Sequence, residues 1–219
     1  MIEIKELCFS YTNSRPYIIN NFSLNIPKGS YVSIIGANGS YKSTLIKLIL
    51  NLLSPQGGSI KLNSNKIGYV PQIVESFNSS FPITVYEILN TYRKIVKDSS
   101  SNSINEVLKK VGMSEYKDSL IGNLSGGQKQ KVFIARALLT DIDILILDEP
   151  STGVDVKSMK EIYSIIKDLN ETLRVTVISV EHDHSVAIAN STHILPMENG
   201  SGTLLTTAEY VRGISNASI

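Results

Sequence analysis

The order of two motifs limits this chain most: Leu124-Ser125-Gly126-Gly127-Gln128 stands 20 residues before Asp148-Glu149-Pro150, which closes the apolar run Asp143-Ile144-Leu145-Ile146-Leu147. Four consecutive aliphatic residues ending on two acids read as a buried strand that delivers carboxylates to a sheet edge.

Around that strand the pattern alternates. Strands are expected at Ile2–Phe9, Phe22–Ile26, Tyr31–Ile35, Ser59–Leu62 and Ile67–Val70. Further strands are expected at Asp143–Leu147, Val175–Val180 and Thr192–Met197. Helices are expected at Ser43–Leu53 and Lys157–Leu173, with a short one near Ala187. Such alternation builds a layered α/β sheet. Between Pro82 and Leu139 the spacing turns helical: Val85, Ile88 and Leu89 share one face, Ile104, Val107, Leu108 and Val111 another, and Gly126 to Leu139 a third. This block reads as an insertion. Pro55-Gln56-Gly57-Gly58 signals a turn, Lys97 to Ser103 a polar linker, and Gly213 to Ile219 a fraying end.

At 219 residues the chain suits one domain, 1–219, with the helical insertion at roughly 82–139. A formal charge of +1 supplies no cation excess for phosphate backbones, so nucleic acid is not an expected partner. The one cysteine, Cys8, cannot form an intrachain disulfide and, between Leu7 and Phe9, reads as a small core hydrophobe. The alternating start Met1-Ile2-Glu3-Ile4-Lys5 lacks the basic and apolar regions of a signal peptide. The longest apolar stretch, Leu45 to Leu53, is broken by Lys47 and Asn51 and falls short of the roughly 20 residues that span a bilayer. A membrane role therefore needs a partner chain.

Three segments carry chemistry. Gly36-Ala37-Asn38-Gly39-Ser40-Tyr41-Lys42-Ser43-Thr44 joins a strand to a helix, so backbone amides and the positive helix end converge on an anion. Lys42 adds a charge and Ser43 a magnesium ligand. Asp148 can serve the magnesium and Glu149 can polarise an attacking water. Ser125 sits where a helix cap belongs, and Gly126 and Gly127 leave the first amides of the next helix uncovered for a second anion contact.

With these residues in this order, the chain resembles the nucleotide-binding subunit of ATP-binding cassette transporters from Ile2 to about Leu205. The resemblance implies a P-loop NTPase core of that type, with an inserted helical subdomain and an N-terminal antiparallel β portion. It implies ATP and Mg2+ as ligands and hydrolysis coupled to transport. By the same resemblance Tyr11 stacks on adenine, with Tyr17 its nearest competitor. Gln72 touches magnesium and the attacking water, Asp155 closes the loop across a dimer, and His182 meets the γ-phosphate. Gly36, Asn38, Gly39, Ser40, Tyr41, Lys42, Ser43 and Thr44 form the cradle, and Ser125, Gly126, Gly127 and Gln128 complete the partner's site. His184 and His193 receive no role. The implied partners are transmembrane permease subunits, a second cassette subunit, identical or different, and an extracytoplasmic substrate-binding protein. The implied location is the cytoplasmic face of the cell membrane.

Gly68-Tyr69-Val70-Pro71-Gln72, Phe81-Pro82-Ile83-Thr84-Val85 and Glu181-His182-Asp183 resemble the subfamily that imports zinc, manganese or iron. The permease groove is expected along the helical insertion and the segment after Gln72. A DNA-repair or chromosome cassette needs coiled-coil arms, for which the roughly 50 residues between Gln72 and Leu124 leave no room. A translation-associated cassette protein usually has two cassettes and a basic linker. Tyr41 departs from the family's glycine. If that backbone position is one that only glycine reaches easily, strain of about 1 to 3 kcal/mol follows. Nucleotide binding would weaken roughly ten- to a hundredfold. Two readings stay open: the ring turns to solvent and the site works, or the site is degenerate and the chain lends its Leu124–Gln128 motif to a partner.

Overall fold

The computed structural model describes residues 1–72, 82–96 and 103–217. The chain opens with β1 (Ile2–Phe9) and β2 (Ile19–Ile26), followed by β3 (Tyr31–Ile35), α1 (Lys42–Ile49), β4 (Gly57–Leu62) and β5 (Ile67–Val70). The helices α2 (Val85–Val96), α3 (Ile104–Lys110) and α4 (Gly126–Ala137) come next. Then follow β6 (Ile144–Asp148), α5 (Val156–Leu173), β7 (Thr176–Val180), α6 (His184–Asn190) and β8 (His193–Glu198). The short strands β9 (Ser201–Gly202) and β10 (Leu205–Thr206) precede α7 (Thr207–Ala217).

Strands β2, β1 and β4 form an antiparallel sheet in that order. The second sheet runs β10-β8-β3-β7-β6-β5, parallel from β8 to β5, with β9 paired to β8. Every residue of β3, β6 and β7 is buried, as expected for strands covered on both faces. Period-two alternation then divides two cores. Leu145, Leu147 and Val177 face the helical block, packing with Leu89, Val107, Ile134 and Ile166. Ile144, Ile146, Ile178 and Val180 face α1 and the antiparallel sheet, packing with Leu45, Ile49, Leu7 and Ile26. The helical block and α1 thus cover opposite faces of one sheet.

Several boundaries differ from the sequence reading. Helix α1 ends at Ile49 because Asn51 turns left-handed at φ 57°. Strand β2 begins at Ile19, since Ile19 pairs with Phe9. Gly57 and Gly58 lie inside β4, and β6 runs one residue further, through Asp148. The expected fraying end is instead helical to Ala217: Thr206 and Glu209 cap each other, with Thr206 N–H donating to Glu209 Oε2 at 2.8 Å and Glu209 N–H to Thr206 Oγ1 at 3.3 Å. Tyr210 then buries itself with Ile35, Ala187 and Ile194. Cys8 is half-buried, its thiol 3.6 Å from Glu6 O and 3.7 Å from Asn20 Oδ1, so it edges a strand instead of filling the core. Phe81 and residues 97–102 of the linker lie outside the described residues, as do residues 73–81 of the expected permease groove. Among the described residues no helix is long and apolar enough to cross a membrane.

Candidate functional site: a phosphate cradle facing a carboxylate cluster

Strand β3 ends at Ile35 and α1 starts at Lys42, so the loop 36–41 lies at the carboxyl edge of the parallel sheet. Gly36 takes φ 151°, where a Cβ would collide with Met197 O and approach Ser40 Oγ within 2.8 Å. Only glycine closes that turn. The loop and the first turn of α1 line a cavity of about 320 Å³ with Glu149 opposite them: Asn38, Gly39, Tyr41, Lys42, Ser43 and Thr44. Helix α1 has no side-chain N-cap, so its first amides remain directed at this space. The Lys42 ammonium donates to Gly36 O (2.7 Å) and Ala37 O (3.0 Å), and burial holds its pKa below the usual lysine range. Ser40 Oγ is buried without a partner among the described residues. A cationic, amide-rich concavity of this kind fits a polyphosphate.

Tyr41 takes φ 70° and ψ 23°, the left-handed conformation anticipated for a glycine there. Its ring does not turn to solvent. It is half-buried against the core beneath α1.

Across the cavity, β6 delivers two acids in different directions. Alternation puts Asp148 on the α1 side with Ile144 and Ile146, and its Oδ1 accepts from Ser43 Oγ at 3.3 Å. Burial pushes the Asp148 carboxyl above the usual range, and the Ser43 hydrogen bond opposes that shift. A left-handed turn at Glu149 (φ 52°) takes the next carboxylate out of the strand. Glu149 Oε1 lies 2.6 Å from His182 Nε2; Oε2 accepts from Gln72 Nε2 at 2.8 Å and from Thr152 Oγ1 at 3.1 Å. These three contacts occupy three of roughly four acceptor positions on a carboxylate, leaving one for a water. Thr152 had no signal in the sequence beyond lying three residues after Glu149.

Tyr11 is 59% exposed, stacked edge-on against Phe9 with centroids 5.1 Å apart, and its hydroxyl lies 2.9 Å from Thr44 Oγ1. This fixes an aromatic face beside the loop. Tyr17 pairs instead with the Arg15 guanidinium, 5.7 Å from its ring centroid.

The remaining expected site residues are not brought to this cavity. Ser125 caps α4, accepting from Gln128 N–H (3.3 Å), while Gln128 Oε1 accepts from Ser125 N–H (2.9 Å). Asp155 caps α5, accepting from Ser158 N–H at 3.0 Å. The two caps sit against each other: a Cβ on Gly126 would lie 2.6 Å from Gly153 O, and one on Gly127 would overlap Ser158 Cβ. The glycines of this motif are therefore required by packing within the chain. Lys131, buried, pairs with Glu161 and joins the same two helices. Of the unassigned histidines, His184 Nδ1 bonds Tyr210 OH at 2.7 Å, linking α6 to α7, and His193 bonds Thr192 Oγ1 at 2.9 Å.

A strand-loop-helix phosphate cradle, an acid at the end of a strand two places along the same sheet and a second carboxylate held ready for water define a P-loop nucleoside triphosphatase. Residues 19–152 match the family described as ABC transporter. A probable metal transport system ATP-binding protein of Treponema pallidum (strain Nichols) is 46% identical over 208 residues, covering 95% of this chain and 87% of that protein. A high-affinity zinc uptake system ATP-binding protein of Bacillus subtilis (strain 168) is 35% identical over 214 residues, covering 91% and 92%. The dimeric structure of a bacterial ABC transporter cassette superimposes with a TM-score of 0.79 at 29% identity, covering 94% of this chain and 99% of that one. The same cassette has been solved in a post-hydrolysis state bound to ADP and Pi. The chain belongs to the ABC transporter family, as an ATP-binding and ATP-hydrolysing subunit.

Proposed function

We propose that this chain powers import of a metal ion, zinc, manganese or iron, working as a cassette dimer beneath permease subunits supplied with cargo by an extracytoplasmic binding protein. The metal-transport and zinc-uptake names of its relatives support the cargo, and the dimeric cassette of similar structure supports the pairing. In this reading the chain acts at the cytoplasmic face of the membrane as one domain, 1–219, with residues 82–139 as its helical insertion.

Convergence on Glu149 carries the proposal. Lys42, the loop amides and Thr44 bind the phosphates, and Tyr11 presents its ring to the base. Ser43, Asp148 and Gln72 are oxygen donors of the type magnesium takes and would hold it. Held by these residues, magnesium would supply positive charge against the charge of the transferring phosphoryl group. Glu149 accepts a proton from the attacking water while Gln72 and His182 fix its orientation, and His182 turns a ring N–H toward the γ-phosphate. Ser125, Gly127 and Asp155 act on the partner's nucleotide.

Calorimetry of Mg-ATP binding with phosphate release, on the wild-type chain and Glu149→Gln, tests the chemistry: binding retained with turnover lost supports it, and unchanged turnover removes Glu149 from the reaction. Uptake of radiolabelled zinc, manganese or iron by vesicles carrying the chain with its permease tests the cargo. Failure of all three ions to enter overturns metal import.

The left-handed Tyr41 favours a second reading, a degenerate site that lends Ser125–Gln128 to a catalytic partner. Micromolar Mg-ATP binding and turnover by the isolated chain would exclude it.

A further inference from the structure

Glu181 is a carboxyl group that is 1% exposed, placed where a threonine or valine would pack without desolvating a charge. It stands immediately before His182, at the end of β7. Alternation along the strand turns Ser179 and Glu181 toward α5, and Ile178 and Val180 toward α1. Glu181 therefore points toward α5 just as the next residue reaches Glu149.

Both carboxyl oxygens are engaged. Tyr163 OH, on α5, donates to Oε2 at 2.6 Å, and Ser179 Oγ donates to Oε1. One donor on each oxygen is the pattern an ionised carboxylate accepts. Burial pushes the Glu181 carboxyl up to about 7, with Ser179, Tyr163 and the neighbouring His182 opposing the shift. The backbone is fixed at the same residue, where Glu181 N–H donates to Ile34 O at 2.9 Å.

Beyond it regular structure stops until α6, where Asp183 caps the helix by accepting from Ser185 N–H at 2.7 Å. His182 lies between these two anchors, its side chain 43% exposed and held at its tip by Glu149. Helix α5 itself starts at Val156, capped by Asp155 in the loop that follows Glu149. The Tyr163–Glu181 bond thus ties the element leading from Glu149 to the strand leading into His182, behind the point where the two side chains meet.

We propose that Glu181 is a positioning residue for ATP hydrolysis: through Tyr163 and Ser179 it sets the height and direction of the β7 end, and so aims His182 at Glu149 and the reacting phosphate. This rests on the reading of His182 given above. Glutamine keeps both hydrogen bonds, donating where the carboxylate accepted, whereas alanine removes both.

The test compares wild type, Glu181→Ala, Glu181→Gln, Tyr163→Phe and His182→Ala in the full chain, measuring kcat and KM for Mg-ATP together with thermal midpoints. Glu181→Ala should lose at least tenfold in kcat with KM within twofold, Tyr163→Phe should lose about threefold, and Glu181→Gln should return to within threefold of wild type. Tyr163→Phe keeps the buried ring and reports even where Glu181→Ala does not fold. If His182→Ala lowers kcat while Glu181→Ala and Tyr163→Phe do not, the positioning role is overturned. A loss in Glu181→Gln as large as in Glu181→Ala overturns it too. If His182→Ala leaves kcat unchanged, the reading of His182 itself fails.

Discussion

His182 Nε2 lies 2.6 Å from Glu149 Oε1 because β6 and β7 are adjacent parallel strands whose register pairs Asp148 with Val180. The two strand ends finish level, and the residues just past them face each other. The contact is a product of sheet register, and the chemistry inherits its precision from the ladder beneath.

Replacing either member of this pair should cost turnover with little effect on affinity. His182→Ala and Glu149→Gln are expected to lower single-turnover phosphate release by about 10² to 10⁴. The Mg-ATP Kd should stay within a fewfold of wild type, since Lys42 and the loop amides are untouched. Rapid-quench kinetics beside calorimetry separates the two effects.

Tyr41→Gly should change stability more than affinity. Tyr41 takes the left-handed conformation as part of the fold itself, so its cost of about 1 kcal/mol falls on folding and not on binding. Glycine relieves that cost but gives up a half-buried ring worth about 2 kcal/mol. A net destabilisation of about 1 kcal/mol in urea unfolding is expected, with Mg-ATP affinity within threefold. An affinity gain of tenfold or more would restore the strained-site reading.

Gly127→Ala should displace the start of α4, because its methyl group has no room against Ser158. ATP binding by the cradle should persist, while turnover, which in the proposed dimer draws on the Ser125 motif, should fall at least tenfold. Adding Ser158→Gly opens the space and should recover much of the loss. Failure of the double variant to recover would shift the role of Gly127 from packing within the chain to contact with nucleotide.

Glu181 gives the fold a pH dependence of definite sign. Its carboxyl titrates near 4.5 when unfolded and at about 7 when folded, so between those values the folded state holds the extra proton. This contribution to stability is full below about 4.5 and is lost as pH rises through about 7, a change of about 3 kcal/mol. Glu181→Gln removes it. Urea unfolding at pH 5.5 and pH 8 should show the variant gaining about 2 kcal/mol on wild type at the higher pH, and equal offsets at both would remove Glu181 as the source.

What could be read in the sequence was local. The loop from Gly36 to Thr44, the acids after Leu147 and the capped start of α4 each act through a few contiguous residues, so their spacing carries their geometry. The Thr206-x-x-Glu209 cap of α7 was equally local, but the small polar residues after Gly213 masked it. The bond from Tyr11 to Thr44 joins two separate elements, so it could not be read from the spacing of the residues.

The sequence by itself determined the α/β class, the phosphate cradle and the identity of its acids and lysine, because hydrophobic period and turn chemistry are short-range properties of the chain. Tertiary structure alone decided that Gln72, Thr152 and His182 meet at Glu149, that Tyr41 packs half-buried against the core, that Gly127 makes room for Ser158, and that Glu181 braces the strand before His182. Each of those depends on which strands lie side by side and which face a helix covers, and strand order and register are set by the packing of the whole sheet.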